Sequence, residues 1–317
     1  MTQRALIVAG PTASGKSALA LELAERLGGT IINADAMQVY RELRVLTARP
    51  TREDEARVPH RLYGERPAAE PGSVAWWREA ALAEMAAARE AGRLPILTGG
   101  SGLYFASLTE GLADIPDPGP AARAEARSLL KEIGPAALHA RLAAEDPATA
   151  ARLRSTDSQR IARAWEVWRG TGRGLADWQA TSATPAPWRF AAILLDPPRT
   201  DLRAAITARF AAMLQDGALD EVRALLALHL DPALPAMRAH GVPELAAHLR
   251  GEITLEEAGR RIELATGQYT KRQATWFRHH RLADPAYSHM IHARITGLEQ
   301  FSESIIPQSW EFIESMA

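Results

Sequence analysis

The chain has 317 residues, a net charge of −1 and no cysteine. That length is sufficient to bury one large core and a smaller one. The lack of cysteine excludes disulfides and thiolate metal sites, and the near-neutral charge argues against a protein that coats nucleic acid non-specifically. No apolar run is long enough to span a bilayer and the first residues show no signal-peptide pattern, so we expect a cytoplasmic protein without membrane contact.

Four short, mainly apolar runs are typical of buried parallel strands, because apolar residues occupy both faces of each run. They are residues 5–10, 30–35, 94–100 and 191–196. Helical patterns follow the first run and precede the third. This alternation predicts an α/β fold with a doubly wound parallel sheet, of the kind found in phosphate-loop NTPases.

The strand pattern stops between the third and fourth runs. Residues 115–187 contain no strand candidate, are bounded by Pro-rich hinges and show helical patterns. Such a segment inside an α/β pattern predicts an inserted all-helical subdomain. We therefore expect a core formed by residues 1–114 and 188–285, the helical insertion at 115–187, and a tail of unknown role at 286–317.

The first predicted strand runs into the sequence GPTASGKS, which fits the phosphate-loop pattern G-x-x-x-x-G-K-[ST]. Its residues are Gly10, Pro11, Thr12, Ala13, Ser14, Gly15, Lys16 and Ser17. In such a loop, backbone N–H groups and a helix N-terminus bind phosphate oxygens, the lysine adds positive charge, and the hydroxyl is a ligand for Mg²⁺. The motif predicts a bound phosphate and Mg²⁺ at Ser17, but it does not identify the molecule that carries the phosphate.

Two further polar side chains are predicted beside this loop. Asp35 ends the second strand, and a glycine-rich turn with Ser101 ends the third. Because active groups of a doubly wound sheet gather at the carboxyl ends of its strands, we expect both side chains to face the phosphate. Taken singly, each is also explained as a turn residue or a helix cap.

Two stretches of the chain are rich in arginine. Residues 152–173 carry six Arg against two acidic residues, and residues 260–281 carry five Arg and one Lys against one. The second stretch overlaps a predicted amphipathic helix at 254–277. Either stretch alone is equally well explained as a solvated helix face. Three aromatic side chains offer a stacking surface for bases, although core packing explains them better: Trp165, Trp168 and Tyr104.

Taken together, these motifs resemble the tRNA dimethylallyltransferase family, which prenylates the adenosine directly 3′ of the anticodon. The resemblance covers about residues 10–281. Its segments occur in order as GPTASGKS (10–17), INADAMQVYRELRVLTARP (32–50), VPHRLYG (58–64), LPILTGGSGLYFASLTEGL (94–112), DPATAARLRSTDSQRIARAWEVWRGTG (146–172), RFAAMLQDGALDEVRAL (209–225), MRAHGVPEL (237–245) and ATGQYTKRQATWFR (265–278).

The resemblance implies that the helical insertion grips the anticodon stem-loop of tRNA and that the phosphate loop holds dimethylallyl diphosphate in place of ATP. It implies that residues 12–17 bind the diphosphate and Mg²⁺, and that Lys16, Asp35 and Ser101 take part in catalysis. We expect a monomer. The implied tRNA contacts are Asp35, Ala36, Met37, Gln38, Ser101, Arg123, Gln159, Arg160, Ile161, Ala162, Arg163, Lys271 and Arg272.

Several positions depart from the family pattern. Ser101 stands for a threonine but keeps the hydroxyl, Arg49 stands for a lysine, and Leu46 stands for a glycine. The sequence RSTD at 154–157 replaces HPND. Gly267 replaces an arginine, which removes one expected basic contact to RNA.

The chemistry of prenyl transfer accounts for the residue types. The exocyclic amine of adenine is a weak nucleophile, so a carboxylate such as Asp35 that accepts its proton assists C–N bond formation. The departing diphosphate develops negative charge, which backbone N–H groups, Lys16 and Mg²⁺ stabilise. The target base must also leave its stack to reach the site.

Two other functions remain open from the sequence. A small-molecule kinase, with ATP in the loop and Asp35 activating a hydroxyl, explains the phosphate loop but not the arginine-rich helices. A non-catalytic RNA-binding module explains the arginines but leaves the phosphate loop without a role.

Overall fold

The structure is a computed structural model that describes residues 3–181 and 183–296. The chain divides into two compact units. One unit consists of Met1–Thr109 with Ala186–Ala317, and the other is Glu110–Pro185. The segment predicted as a helical insertion was 115–187.

The first unit is built on a sheet of six strands. They are β1 (Arg4–Ala9), β2 (Gly29–Asn33), β3 (His60–Arg61), β4 (Leu94–Gly99), β5 (Arg189–Leu195) and β6 (Ser288–Ile291). Their order across the sheet is β3-β2-β4-β1-β5-β6, and every neighbouring pair is parallel. The predicted α/β fold with a parallel sheet is confirmed, and β1, which precedes the phosphate loop, lies between β4 and β5.

Twelve α-helices occur among the described residues. In chain order they are α1 (Lys16–Leu27), α2 (Arg52–Arg57), α3 (Val74–Glu90), α4 (Gly102–Thr109), α5 (Gly119–Glu145, kinked at Gly134), α6 (Pro147–Ala150), α7 (Ser158–Thr171), α8 (Leu175–Ala180), α9 (Arg199–Gln215), α10 (Ala218–Leu226), α11 (Val242–Leu249) and α12 (Leu255–His279). None of these helices is long and apolar enough to cross a membrane.

Apolar side chains cover both faces of the sheet, as expected for parallel strands. Because side chains alternate along a strand, Leu6 and Val8 of β1 pack with α1 on one face. Ile7 of β1 points to the other face, where it joins a larger cluster with Trp77 of α3 and Phe105 of α4. Each fully buried Leu, Ile or Phe contributes roughly 1.5–3 kcal/mol to folding. The two clusters hold the carboxyl ends of the strands in fixed positions.

The sheet extends into the segment that was predicted to be a tail. Residues 288–291 form β6, which pairs with β5 from Ala192 with Ser288 to Leu195 with Ile291. Ile291 and Ile295 are buried in the same cluster as Leu6 and Val8. The sequence SHMI has a polar first half and lacks the apolar pattern of the other strands, so its pairing depends on the β5 edge beside it. Residues 297–317 of the predicted tail lie outside the described residues.

The chain leaves the sheet unit after α4 and returns to it just before β5. The backbone N–H of Ala186 donates to the carbonyl oxygen of Leu108 at 2.8 Å. The two positions of the sheet unit between which the helical unit is inserted are therefore joined by a hydrogen bond.

The helical unit has a core of its own. Ala126 and Leu138 of α5, together with Ile161 and Trp165 of α7, are buried in one cluster. The indole N–H of Trp165 donates to Glu125 at 3.2 Å, which satisfies its polar atom. Of the three aromatic residues considered for base stacking, Trp165 and Tyr104 are buried and Trp168 is partly buried.

A carboxylate from α10 fixes the loop that follows β2. Glu221 accepts hydrogen bonds from the backbone N–H groups of Arg44 at 2.6 Å, Val45 at 2.7 Å and Leu46 at 2.9 Å. Three backbone donors that would otherwise lack a partner are satisfied by one side chain.

Replacing Glu221 with alanine is expected to lower the free energy of unfolding by about 1–3 kcal/mol, because the three N–H groups lose their acceptor. Chemical denaturation measures the change. Asp220→Ala is the matched control, since its carboxylate is 80% exposed and pairs with Arg223. Equal stability of the two variants would contradict this role for Glu221.

Candidate active site

The phosphate loop connects β1 to α1 in the geometry that the motif predicts. Ala13 and Gly15 both have positive φ angles, 68° and 89°. The N–H of Ser14 donates to Pro11 O at 3.2 Å, and Lys16 Nζ donates to the same oxygen at 3.3 Å. Because two residues of this short turn have left-handed backbone conformations, successive backbone N–H groups point into the loop. This arrangement binds anions.

Lys16 is a buried ammonium group close to other charges. Its pKa is lowered to about 8, chiefly by burial; the charge of Asp35 raises the pKa, and the positive charge of Arg209 lowers it. Desolvation of a cation is costly unless an anion compensates it. A phosphate bound in the loop would supply that anion.

Two buried hydroxyls near the loop have no hydrogen-bond partner among the described residues. They are Ser14 Oγ and Thr98 Oγ1. Thr98 lies at the end of β4, opposite Val8 of β1, and lines a cavity of about 270 Å³ together with Ser17. Unsatisfied buried polar groups are uncommon and indicate a missing partner.

These hydroxyls fit a site for Mg²⁺ and phosphate. The described residues contain no group of three or more His, Asp or Glu that could hold a metal ion. Mg²⁺ usually keeps several waters and binds substrate phosphates with one or two protein groups. Ser17 would supply such a group, and Thr98 Oγ1 could accept a hydrogen bond from a metal-bound water.

Asp35 follows β2 in a turn that Asn33 holds in place. The amide of Asn33 donates to Asp35 O at 3.0 Å and accepts from the backbone N–H of Asp35 at 2.8 Å. One carboxylate oxygen, Oδ1, accepts from the N–H of Met37 at 2.9 Å. The other oxygen, Oδ2, accepts no hydrogen bond from the described part of the chain, so it is available to a substrate.

Ser101 lies against the same turn, as the strand order predicts. Its Oγ accepts from the N–H of Ala36 at 2.9 Å, and its own N–H donates to Ala34 O at 3.1 Å. A Cβ on the nearby Gly99 would clash with the backbone of Ala34, so the two turns touch. The structure thus places Asp35 and Ser101 on neighbouring turns. Lys16 is close enough to Asp35 for its pKa to respond to the charge of that carboxylate.

Three tyrosines line the surroundings of Asp35. Burial raises the pKa of Tyr63, Tyr104 and Tyr269, and the charge of Asp35 raises each of them further. Their phenol groups are therefore neutral at physiological pH. Tyr104 also stacks on Trp77 with ring centroids 4.3 Å apart, so it belongs to the core.

Gln273 of α12 is a site residue that the sequence reasoning missed. Its Oε1 accepts from the N–H of Thr12 at 2.8 Å and from the Thr12 hydroxyl at 3.2 Å, while Nε2 donates to Gly100 O at 3.0 Å. This amide joins the phosphate loop to the turn of Ser101. The available signal was a polar residue on the buried face of the helix, four positions after Tyr269.

Arg209 of α9 was also missed. It lies in the segment RFAAMLQDGALDEVRAL, for which the resemblance was noted without a role. Burial lowers its pKa, and its charge in turn acts on Lys16. Because no carboxylate of the described residues forms an ion pair with it, Arg209 is suited to bind an anion at the loop.

The other predicted tRNA contacts in the sheet unit differ in their surroundings. Lys271 and Arg272 are exposed on α12, and Arg272 lies over the ring of Tyr269 at 5.5 Å. Gln38 instead donates to Thr47 O at 2.8 Å and to Ala48 O at 3.0 Å, which ties the loop after β2 to the site. Ala36 and Met37 pack against the core as partly buried side chains.

In the helical unit, the predicted contact segment at the start of α7 has two sides. Ile161 and Ala162 are buried in the core of the unit, so their side chains do not face solvent. Gln159 and Arg160 are exposed and Arg163 is half-exposed. Arg123 of α5 forms an ion pair with Asp117.

Comparisons with known proteins agree with this geometry. The family model described as IPP transferase matches residues 38–280. A tRNA dimethylallyltransferase from Granulibacter bethesdensis is 63% identical over 314 residues, covering 99% of this chain and 98% of its own. The chain belongs to the IPP transferase family. Another tRNA dimethylallyltransferase, from Gluconacetobacter diazotrophicus, is 64% identical over 97% of this chain and 93% of its own.

Solved structures support the same assignment. The tRNA isopentenylpyrophosphate transferase from Bacillus halodurans has a TM-score of 0.68 at 30% identity, covering 98% of this chain and 97% of its own. A eukaryotic dimethylallyltransferase captured acting on tRNA has a TM-score of 0.80 at 22% identity. The match covers 99% of this chain and 80% of the eukaryotic chain, and the two share the fold. The family that the sequence resembles is thus confirmed, and IPP transferases modify tRNA by prenyl transfer.

Within this IPP transferase site, replacing Gln273 with alanine is expected to weaken pyrophosphate binding about tenfold. The N–H of Thr12 and the carbonyl of Gly100 lose their shared partner, which costs roughly 1–3 kcal/mol. Isothermal titration calorimetry with magnesium pyrophosphate measures the effect. Gln268→Ala, an exposed glutamine on the same helix, is the control and should bind normally. Unchanged affinity in Gln273→Ala would contradict the role of the bridge.

Proposed function

We propose that this chain transfers the dimethylallyl group of dimethylallyl diphosphate to the exocyclic amine of the adenosine 3′ of the tRNA anticodon, releasing diphosphate. The observation that carries the proposal is the position of Asp35. Its carboxylate lies close enough to the phosphate loop for its charge to act on Lys16, and its Oδ2 atom is free of hydrogen bonds from the described residues. A base beside a diphosphate site is what this reaction needs.

In the proposed reaction, the amine attacks the allylic carbon as the C–O bond to diphosphate breaks. Asp35 accepts a proton from the amine through Oδ2 while Met37 N–H holds Oδ1. The turn fixed by Asn33 keeps the carboxylate oriented, so no reorganisation is needed as charge develops.

The departing diphosphate gains negative charge. The inward N–H groups of the phosphate loop, Lys16 and Arg209 stabilise that charge. Ser17 would hold Mg²⁺, which would neutralise part of that charge when bound. The hydroxyl of Ser101 accepts from Ala36 N–H, so its own proton can be donated to the bridging oxygen or to the adenine.

The tRNA is proposed to be held by basic groups of both units. Lys271 and Arg272 on α12 and Arg160 and Arg163 on α7 are exposed or half-exposed, and each can contact RNA phosphates. The proposal requires one chain, since every group named above lies on it, and we infer a monomer.

One experiment separates this function from its rivals. The protein is incubated with Mg²⁺, dimethylallyl diphosphate, ATP and an anticodon stem-loop that bears the unmodified adenosine. RNA-dependent diphosphate release with prenylated adenosine is the expected result. ADP formation without RNA would indicate a kinase, and RNA binding without turnover would indicate a binding module.

Asp35→Asn is expected to abolish turnover, because an amide cannot accept the proton, while affinity for the stem-loop survives. Single-turnover assays and fluorescence anisotropy measure the two quantities. Asp220→Asn is the control, since Asp220 is 80% exposed on α10, pairs with Arg223 and has no part in the proposed chemistry. Normal turnover in Asp35→Asn would rule out the carboxylate as the base.

Replacing Arg160 and Arg163 together with alanine is expected to weaken stem-loop binding and to reduce its salt dependence, since two phosphate contacts are lost. Arg127→Ala with Arg141→Ala removes two exposed charges from α5 of the same unit and is the matched control. An equal loss in both double variants would point to total charge rather than to the face of α7.

A further inference from the structure

The backbone after β6 is attached directly to the phosphate loop. Ile295 N–H donates to Ser14 O at 3.0 Å, and Arg294 Nε donates to Ala13 O at 2.9 Å. Any side chain at Gly15 would clash with Ile295, and Ile295 itself is buried in the cluster of α1 and β1. Residues 294–295 therefore hold a fixed position against the loop.

The guanidinium of Arg294 has donors to spare. Its Nε is used by Ala13, but its two Nη groups donate to no acceptor among the described residues, and no described carboxylate forms an ion pair with it. Arg294 is also only partly exposed. An arginine anchored through Nε presents its remaining N–H groups in a fixed, planar arrangement that suits phosphate oxygens.

A second arginine without an ion-pair partner in the described chain lies close by. Arg209 is partly buried; burial lowers its pKa, and the positive charge of Arg294 lowers it as well. The helix that carries it, α9, packs on the phosphate loop, because Leu202 and Ile206 form one buried cluster with Ala13. The charge of Arg209 also lowers the pKa of Lys16, so the three cations lie within electrostatic reach of one another at the loop. The carboxylate that opposes them is that of Asp35.

Three neighbouring cations repel one another, and the repulsion grows with burial. The arrangement becomes favourable when an anion with several oxygens lies between them, because each guanidinium then forms charge-assisted hydrogen bonds. One phosphoryl group fits the cradle of the loop. A second phosphoryl group would give the cation outside the cradle a partner.

We propose that Arg294 binds the diphosphate directly, as a third cationic ligand beside Lys16 and Arg209, and that it selects a diphosphate over a single phosphate. The inference rests on the proposed function, in which a diphosphate occupies the loop. Position 294 lies outside residues 38–280, the part of the chain that the family model matches.

The test compares two anions in the absence of RNA and of the prenyl group. Affinities for magnesium pyrophosphate and for inorganic phosphate are measured by calorimetry in the full chain and in Arg294→Gln. We expect the pyrophosphate dissociation constant to rise at least about tenfold and the phosphate constant to change by less than about threefold. Arg93→Gln, an exposed arginine before β4, is the control and should leave both unchanged.

Three results would overturn the proposal. Unchanged pyrophosphate affinity in a folded variant excludes contact, and an equal loss for both anions means that Arg294 only supports the loop. If Arg294→Gln unfolds at a lower temperature, Arg294→Lys keeps a positive charge and a single donor nitrogen but not the planar fork of N–H groups. It should fold and bind pyrophosphate several-fold more weakly, and an affinity equal to that of the unaltered chain would overturn the proposal. Because pyrophosphate binding needs no RNA, a failure of prenyl transfer leaves this test intact.

Discussion

The burial of positive charge at the end of β1 is the constraint on which the site depends. Lys16 is the first residue of α1, directly after the loop that follows β1, and burial is the main cause that lowers its pKa to about 8. Such a group destabilises the empty site and therefore favours a bound anion. The left-handed conformation of Ala13 adds further cost to the turn, whereas Gly15 adopts its positive φ without steric cost. Hydrogen bonds from the surrounding structure to the phosphate loop offset that cost.

Those bonds come from distant parts of the chain. Gln273 reaches the loop from α12, and Ile295 reaches it from the segment after β6. On the other side, Asn33 and the Ser101 hydroxyl hold the turn that carries Asp35. Gln273, Asn33 and Ser101 hold backbone through polar side-chain atoms, and Ile295 does so through its own N–H group. The result is a site whose reactive groups are oriented before substrate arrives, which is the condition for electrostatic stabilisation of a transition state.

Most of the fold could be predicted from local patterns in the sequence. β1, the phosphate loop and α1 are specified by adjacent residues, and the apolar runs of β4 and β5 are visible without context. β3 has two residues and β6 begins with Ser288 and His289, so neither shows a pattern of its own. Both depend on pairing with a neighbouring strand edge, which a single segment cannot reveal.

The site was predictable to the extent that it lies at strand ends. Asp35 and Ser101 meet because parallel strands end at the same edge. Gln273 and Arg209 were missed because their roles arise from contacts more than a hundred positions apart in sequence, such as that between Thr12 and Gln273. The inward orientation of Ile161 and Ala162 follows from helix periodicity, which a contiguous motif ignores.

The hydrogen bond between Leu108 and Ala186 has a consequence for folding. Strand β5 must find β1 across more than 180 residues, and closing so long a loop is slow in a featureless chain. The helical unit has its own core between those two positions, and domains of this kind generally fold as units. Once it is folded, its two ends lie at one point, and the effective length of chain between α4 and β5 becomes short. The same closure lets insertions of other sizes replace it over evolution without a change in the register of the sheet.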